Sequence, residues 1–167
     1  MLEQEVLAVA QAAKNASPAL AQATTQERNA ALTAMARTLR EQCGAIVAAN
    51  AQDMDAARQV GTKESLLDRL MLDEGRVAAM ADALEDLVAL PDPLGRVFDS
   101  RTLDSGIQLS RVAVPLGVVA VVYEARPNVT ADAAGICLKS GNACVLRGGS
   151  LAAKSCAAIA HVLHDAA

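Results

Sequence analysis

Residues 114–150 read VPLGVVAVVYEARPNVTADAAGICLKSGNACVLRGGS, and this stretch decides the fold. Leu116–Tyr123 is a short apolar run rich in valine, the signature of a buried strand. A polar turn follows, Tyr123-Glu124-Ala125-Arg126-Pro127-Asn128, and then a helix over Asn128–Lys139. Ser140-Gly141-Asn142 makes a second turn, with Gly141 suited to a left-handed helix C-cap and Lys139 to the negative helix end. Ala143–Leu146 reads as another strand, Arg147-Gly148-Gly149-Ser150 as a loop, and Leu151–Ala166 as a helix. A β-α-β-α series with short connections predicts α/β architecture, the start of a parallel, doubly wound, Rossmann-like sheet. Ligands of such sheets bind beyond the carboxyl ends of the strands. Both the 123–128 turn and the 147–150 loop lie at such ends, so they are the candidate site.

Towards the N-terminus the period is helical. Leu2, Val6, Val9 and Ala13 form a stripe up to Ser17-Pro18, where a new turn is expected. Thr24 and Glu27 have capping-box spacing ahead of Leu32, Met35, Ala36, Leu39 and Cys43. Asn50 can cap a helix running to Arg58 with Gly61 beyond its end, and Asp73 caps one carrying Val77, Met80, Ala81, Leu84, Leu87 and Val88. Pro91 and Pro93 stop that helix. From Gly95 the period is two: Arg96–Phe98 and Ile107–Val112 read as strands joined through Asp104-Ser105-Gly106. A lone two-stranded ribbon is marginal in water, so this one is expected to pack on another surface such as a partner subunit. After Ala166 the series lacks a next strand, which would leave long unpaired edges. The chain is therefore expected to be an N-terminal fragment.

Composition narrows the function. Of the 167 residues 53% are hydrophobic, yet one Phe, one Tyr and no Trp are present, so the core is aliphatic and helix-rich. A formal net charge of −4 and no aromatic platform argue against nucleic acid. The longest apolar run, Val112–Tyr123, is too short to span a bilayer and contains Pro115, which argues against a membrane partner. The start Met-Leu-Glu-Gln-Glu-Val lacks the basic region of a signal peptide, so a cytoplasmic protein is expected. Cys43, Cys137, Cys144 and Cys156 show neither disulfide nor zinc spacing, and they read as small core residues. His161 and His164 stand three apart on one helix without a third ligand, so no metal is expected.

The chain resembles the γ-glutamyl phosphate reductase family, also called glutamate-5-semialdehyde dehydrogenases, within the aldehyde dehydrogenase superfamily. The likeness rests on Asn50-Ala-Gln-Asp53, Leu66-Leu-Asp-Arg-Leu70, Leu103-Asp-Ser-Gly106, Val114–Val118, Tyr123–Thr130, Leu138–Ala143 and Leu146–Gly149. It covers the whole chain but roughly the first two-fifths of a family member. The resemblance implies the start of an aldehyde dehydrogenase-like fold: residues 1–94 as the helical part of the cofactor domain, 95–113 as an oligomerisation ribbon, and 114–167 as the start of the NADP-binding Rossmann-like domain. It implies NADPH-dependent reduction of L-glutamyl 5-phosphate to L-glutamate 5-semialdehyde, the second step of proline biosynthesis. In the family a cysteine attacks the acyl phosphate, phosphate leaves, and the thioester is reduced. That cysteine lies beyond position 167, so no catalytic residue is assigned here and the isolated chain is expected to be inactive. A homo-oligomer, with glutamate 5-kinase as a further partner, is also implied.

In many aldehyde dehydrogenases the 147–150 loop carries a lysine and, three residues on, a glutamate that holds the adenosine ribose. Arg147 and Ser150 stand at those places. Losing the carboxylate removes repulsion towards a 2′-phosphate, and a guanidinium can pair with phosphate bidentately. Arg147, Gly148, Gly149 and Ser150 are thus the candidate cofactor residues, with NADP as cofactor, against the plainer reading of a closed surface turn. The superfamily's oxyanion asparagine, counted back without gaps from Asn142, falls near Glu124, and Asn128 is the asparagine in the same turn. Glu124, Arg126 and Asn128 form the candidate substrate or oxyanion region. Arg126 can bind phosphate or an α-carboxylate, while the plainer reading makes Asn128 the N-cap of its helix and Arg126 a solvated neighbour. Two other readings stand beside this one. A non-catalytic truncated paralogue would bind subunits of a full-length enzyme. A coenzyme-A-acylating or ordinary aldehyde dehydrogenase would lack Arg126-Pro-Asn-Val-Thr130.

Overall fold

The computed structural model describes residues 2–167; Met1 and the Leu2 side chain, part of the acidic start and of the first stripe, lie outside the described residues. Five helices come first: α1 Leu2–Gln22, α2 Thr25–Glu41, α3 Cys43–Gln59, α4 Glu64–Leu70 and α5 Glu74–Ala89. A ribbon of β1 Val97–Thr102 and β2 Gln108–Val112 follows. Then come β3 Val118–Val122, α6 Asn128–Lys139, β4 Ala143–Arg147, a 3-10 turn Ser150–Ala152 and α7 Ala153–Ala166.

The start of α2 carries the expected capping box: the Thr24 hydroxyl accepts from the Glu27 amide at 3.2 Å, and Glu27 accepts from the Thr24 amide at 2.7 Å. Asp73 caps α5 by accepting from the Arg76 amide at 2.7 Å. Gly61 takes φ +71° past α3, where Thr62 donates to Ala57 and Gly61 to Arg58, a Schellman end. Gly141 closes α6 the same way at φ +70°, with Asn142 donating to Cys137.

Two helical expectations are corrected. α1 runs straight through Pro18. Proline removes the amide that Lys14 would accept, and the Ser17 hydroxyl donates to that carbonyl at 2.9 Å instead. Val6 and Val9 of its stripe are exposed. Asn50 is not a cap; it lies inside α3, fully buried. Its amide donates to the Leu70 carbonyl at 2.8 Å and to Ser155 Oγ at 3.1 Å, while its oxygen accepts from the Leu72 amide at 2.7 Å. Lys139 stands in the last turn of α6 as expected, and its amine also donates to the Val88 carbonyl of α5 at 3.3 Å and to Asn29 at 2.8 Å.

The core gathers the apolar faces of α2, α5, α6 and α7, with Leu32, Leu39, Val77, Leu84, Ala131 and Ile159 at its centre. Each such Leu, Ile or Val contributes about 1.5–3 kcal/mol of burial. Gly135 lets α5 and α6 approach, because a Cβ there would stand 2.4 Å from Leu84 and 2.9 Å from Leu87. A second cluster joins Met54 and Ala57 of α3 and Leu67 and Leu70 of α4 to Ala125 and Ala152, which flank the two strand-end loops. Those loops therefore rest on helices formed early in the chain.

β1 and β2 pair antiparallel, with Leu103 and Ile107 closing the turn at 2.8 Å and Gly106 at φ +86°. Every ribbon residue is exposed. β1 reaches Thr102, four residues past the expected strand end at Phe98, and β2 begins at Gln108 rather than Ile107. β3 and β4 pair in parallel from Val118↔Ala143 to Val122↔Arg147. They differ at their ends from the expected Leu116–Tyr123 and Ala143–Leu146, and the last helix opens with the 3-10 turn rather than at Leu151. Asn142 sets the start of β3: its oxygen accepts from the Leu116 amide at 2.6 Å and the Gly117 amide at 2.9 Å.

Candidate functional site

The parallel register puts the two candidate loops side by side. The Tyr123 amide donates to the Arg147 carbonyl at 3.1 Å, so the ladder extends one step beyond β3 and ties the 123–128 turn to the 147–150 loop. The Tyr123 hydroxyl and Thr130 Oγ1 lie 2.7 Å apart, anchoring the turn to the first turn of α6. Burial pushes the Tyr123 phenol up to about 12, so it stays protonated. Pro127 is fully buried and fixes the entry to α6.

The glycines of the loop have a definite steric reason. A Cβ on Gly148 would stand 2.8 Å from Cys156 Sγ and 3.3 Å from Tyr123. One on Gly149 would stand 3.2 Å from both the Ala125 nitrogen and the Glu124 carbonyl carbon. The close approach is between the two strand ends themselves. Gly148 lets the loop close on Tyr123 and Cys156, Gly149 on Glu124 and Ala125, and Arg147 and Ser150 are left exposed on either side of them.

Two cavities open at this end of the sheet, and the first turn of α6 contributes to both. One, of roughly 340 Å³, lies beside β4 and α7 and is bordered by Tyr123, Thr130, Arg147, Gly148 and Cys156. Arg147 makes no ion pair among the described residues, so an exposed cation without a partner borders an open groove. That combination fits a phosphorylated nucleotide. The other cavity, of roughly 350 Å³, lies between the end of α4, the 71–73 connector, α5 and the start of α6, and includes Arg126, Asn128 and Asp132. The structure brings Arg126 and Asn128 together in one cavity and sets Arg147 in the other, while the exposed Glu124 lines neither.

Asn128 is not the N-cap of α6. Pro127 occupies that place in helical conformation. The first amides are taken by turn carbonyls, Val129 to Arg126 at 3.1 Å and Thr130 to Pro127 at 3.0 Å. With no amide left for it, the Asn128 side chain donates forward to Asp132 at 3.2 Å. Asp132 itself is held above the ordinary carboxylate range by burial, against that hydrogen bond.

A hydrogen bond with Cys144 pulls the Cys137 thiol down to about 7, against its burial. All four are free. Cys43 is pushed up by burial and by Glu74 and Asp73, and Cys144 by a hydrogen bond with Cys137 and by burial. His161 and His164 are both exposed, and no metal-binding cluster occurs among the described residues. No helix among them is long and apolar enough to cross a membrane.

The support beneath the site was not foreseen. The buried Asp53 carboxylate accepts from the Lys154 amide at 3.3 Å, the Ser155 amide at 2.8 Å and the Ser155 hydroxyl at 2.6 Å. It caps α7 from α3, across the chain. With Asn50, it fixes where α7 begins, and hence where the 147–150 loop must end. An Asn and an Asp three apart within one helical run, on its buried face, was the available sign.

Comparison with known proteins agrees with the motifs. The aldehyde dehydrogenase family model matches residues 2–167. The γ-glutamyl phosphate reductase of Moorella thermoacetica is 52% identical over 163 residues, covering 98% of this chain and 39% of that protein. The crystal structure of γ-glutamyl phosphate reductase from Thermotoga maritima superposes with a TM-score of 0.93 at 42% identity, over 97% of this chain and 39% of that one. The corresponding enzyme from Saccharomyces cerevisiae gives 0.89 at 33% identity, over 95% and 40%. The chain thus spans about two-fifths of the length of the relatives it matches.

Proposed function

The chain belongs to the aldehyde dehydrogenase family, and on that premise we propose that it forms the cofactor-side part of a reductase converting L-glutamyl 5-phosphate to L-glutamate 5-semialdehyde with NADPH and releasing phosphate. This is the second step of proline biosynthesis, placed in the cytoplasm. The observation that carries the reading is the joining of the 123–128 turn to the 147–150 loop at one sheet end, in a chain 52% identical to a γ-glutamyl phosphate reductase. Because the relatives are longer, the activity is proposed for the whole reductase of which this chain is a part.

Within it, Arg147 pairs with the 2′-phosphate of the cofactor, and Ser150 leaves that phosphate unopposed by a carboxylate. Such a charge-assisted contact is worth about 1.5–3 kcal/mol. Gly148 seats the loop against Tyr123 and Cys156, and Gly149 against Glu124 and Ala125. The cofactor, when bound, supplies the reducing equivalents. Glu124, Arg126 and Asn128 face the substrate side, with Arg126 taking an anionic group of the substrate. None of the four cysteines is assigned as nucleophile; the acyl-accepting cysteine is proposed to lie outside these 167 residues. The exposed ribbon, with Val97, Phe98 and Leu109 uncovered, is proposed as the surface joining subunits of a homo-oligomer. Glutamate 5-kinase, which makes the labile acyl phosphate, is the further partner proposed.

The reverse reaction tests this directly. The whole reductase should form NADPH from glutamate 5-semialdehyde and NADP⁺ only when inorganic phosphate is present, since phosphate must accept the acyl group. NADPH formed equally well without phosphate, or none with all three reactants, would contradict the proposal.

A further inference from the structure

The cavity between the end of α4, the 71–73 connector, α5 and α6 holds charges in unequal states of pairing. Arg76 and Asp68 satisfy each other at 2.7 Å, and Arg76 also donates to the Met71 carbonyl at 3.0 Å. Arg69 and Arg126, both exposed, make no ion pair among the described residues. Asp132 is half-buried, and its polar partner is the neutral Asn128 amide at 3.2 Å. Desolvation lifts its carboxyl group, as expected for an acid that lacks a cation. One cavity therefore presents a carboxylate wanting a cation and two guanidinium groups wanting an anion.

The complement of that arrangement is a zwitterion. A plain dicarboxylate would be repelled by Asp132, and a plain amine would leave both arginines unused. We propose that this cavity is the α-amino-acid subsite of the reductase, in which Asp132 receives the substrate's α-ammonium and Arg69 and Arg126 its α-carboxylate. The inference rests on the reductase reading above and deepens it, by assigning the end of the substrate remote from the reacting carbonyl. Asn128 then has a positioning part: its hydrogen bond to Asp132 aims the carboxylate. Binding energy at this remote end discriminates the amino-acid aldehyde from its deaminated analogue.

The test uses the whole reductase, NADP⁺, phosphate and two aldehydes, glutamate 5-semialdehyde and 5-oxopentanoate, which lacks only the α-amino group. Asp132→Asn should raise KM for glutamate 5-semialdehyde about tenfold to a hundredfold, while KM for 5-oxopentanoate falls as the repulsion between the two carboxylates is removed and KM for NADP⁺ stays unchanged. Arg69→Gln, at an exposed side chain, should raise KM for both aldehydes. Equal effects of Asp132→Asn on the two aldehydes, or no effect on either, would overturn the subsite. If Asp132→Asn does not fold, Arg69→Gln decides, and an unchanged KM for both aldehydes overturns it. An unmutated reductase that turns over neither aldehyde would refute the reductase reading itself, and the subsite with it.

Discussion

Asp53 and Asn50 carry more of the site than their distance from it suggests. Asp53 offers its buried carboxylate to two amides and a hydroxyl of α7, and Asn50 holds Leu70 and Leu72 at the end of α4, beside the cavity that contains Arg126 and Asn128. Removing the carboxylate orphans the start of α7 in a dry environment. Asp53→Ala should therefore destabilise the whole reductase by about 3 kcal/mol, seen as a lower urea midpoint with unchanged slope, and Asp53→Asn by less. A midpoint unmoved by Asp53→Ala would mean that water caps α7 instead. Neither role could be read from the sequence, because spacing reveals local partners while Ser155 is a hundred residues away. Asn128 misled for the opposite reason. An asparagine after a proline looks like a cap, but Pro127 enters the helix and the turn carbonyls take the amides first.

At the scale of the element, caps and stops were legible where chemistry is local. Thr24 with Glu27, Asp73 and the glycines after α3 and α6 all stand where the helices begin or end. β1 was legible only to Phe98, because Asp99–Thr102 is polar and exposed on both faces, so no burial enforces alternation. The tie between α2 and the proline connector was invisible. Arg28, almost fully buried, pairs with Asp92, which also accepts from Thr25 and from the Leu94 amide at 2.9 Å. Burial alone would raise the Asp92 carboxyl group. The hydrogen bonds and Arg28 overcome that and hold it below its ordinary value of 3.8. A depressed folded-state pKa means that the stabilisation is complete above pH 3.8 and is lost as the pH falls through the lower folded value. Asp92→Asn should cost about 3 kcal/mol at neutral pH by leaving Arg28 buried without its counter-charge. The gap between variant and parent should narrow below pH 3.8. A gap that stays constant down to pH 3 would show that Asp92 is not the titrating group.

Across the whole molecule, apolar surface is unevenly covered. Val122 is 76% exposed and Leu116 84%, on or beside the parallel pair, and Phe98 is 53% exposed on the ribbon. A two-stranded parallel sheet keeps both outer edges unpaired. The 167-residue chain alone should self-associate, or melt without a sharp transition, by light scattering and calorimetry; a monomer that melts cooperatively would contradict this. The β-α-β-α order and the parallel pairing were legible from hydrophobic period alone, and the structure agrees with them. What surface or ligand completes the open end was not, since it lies outside local pattern. The two joined strand ends are proposed as the cofactor side of a reductase, with Arg147 reading a phosphate. The most direct test is cofactor binding by the whole reductase carrying Arg147→Ala. NADPH affinity should fall about tenfold to a hundredfold while NADH affinity hardly changes. Equal losses for the two cofactors, or none, would contradict it.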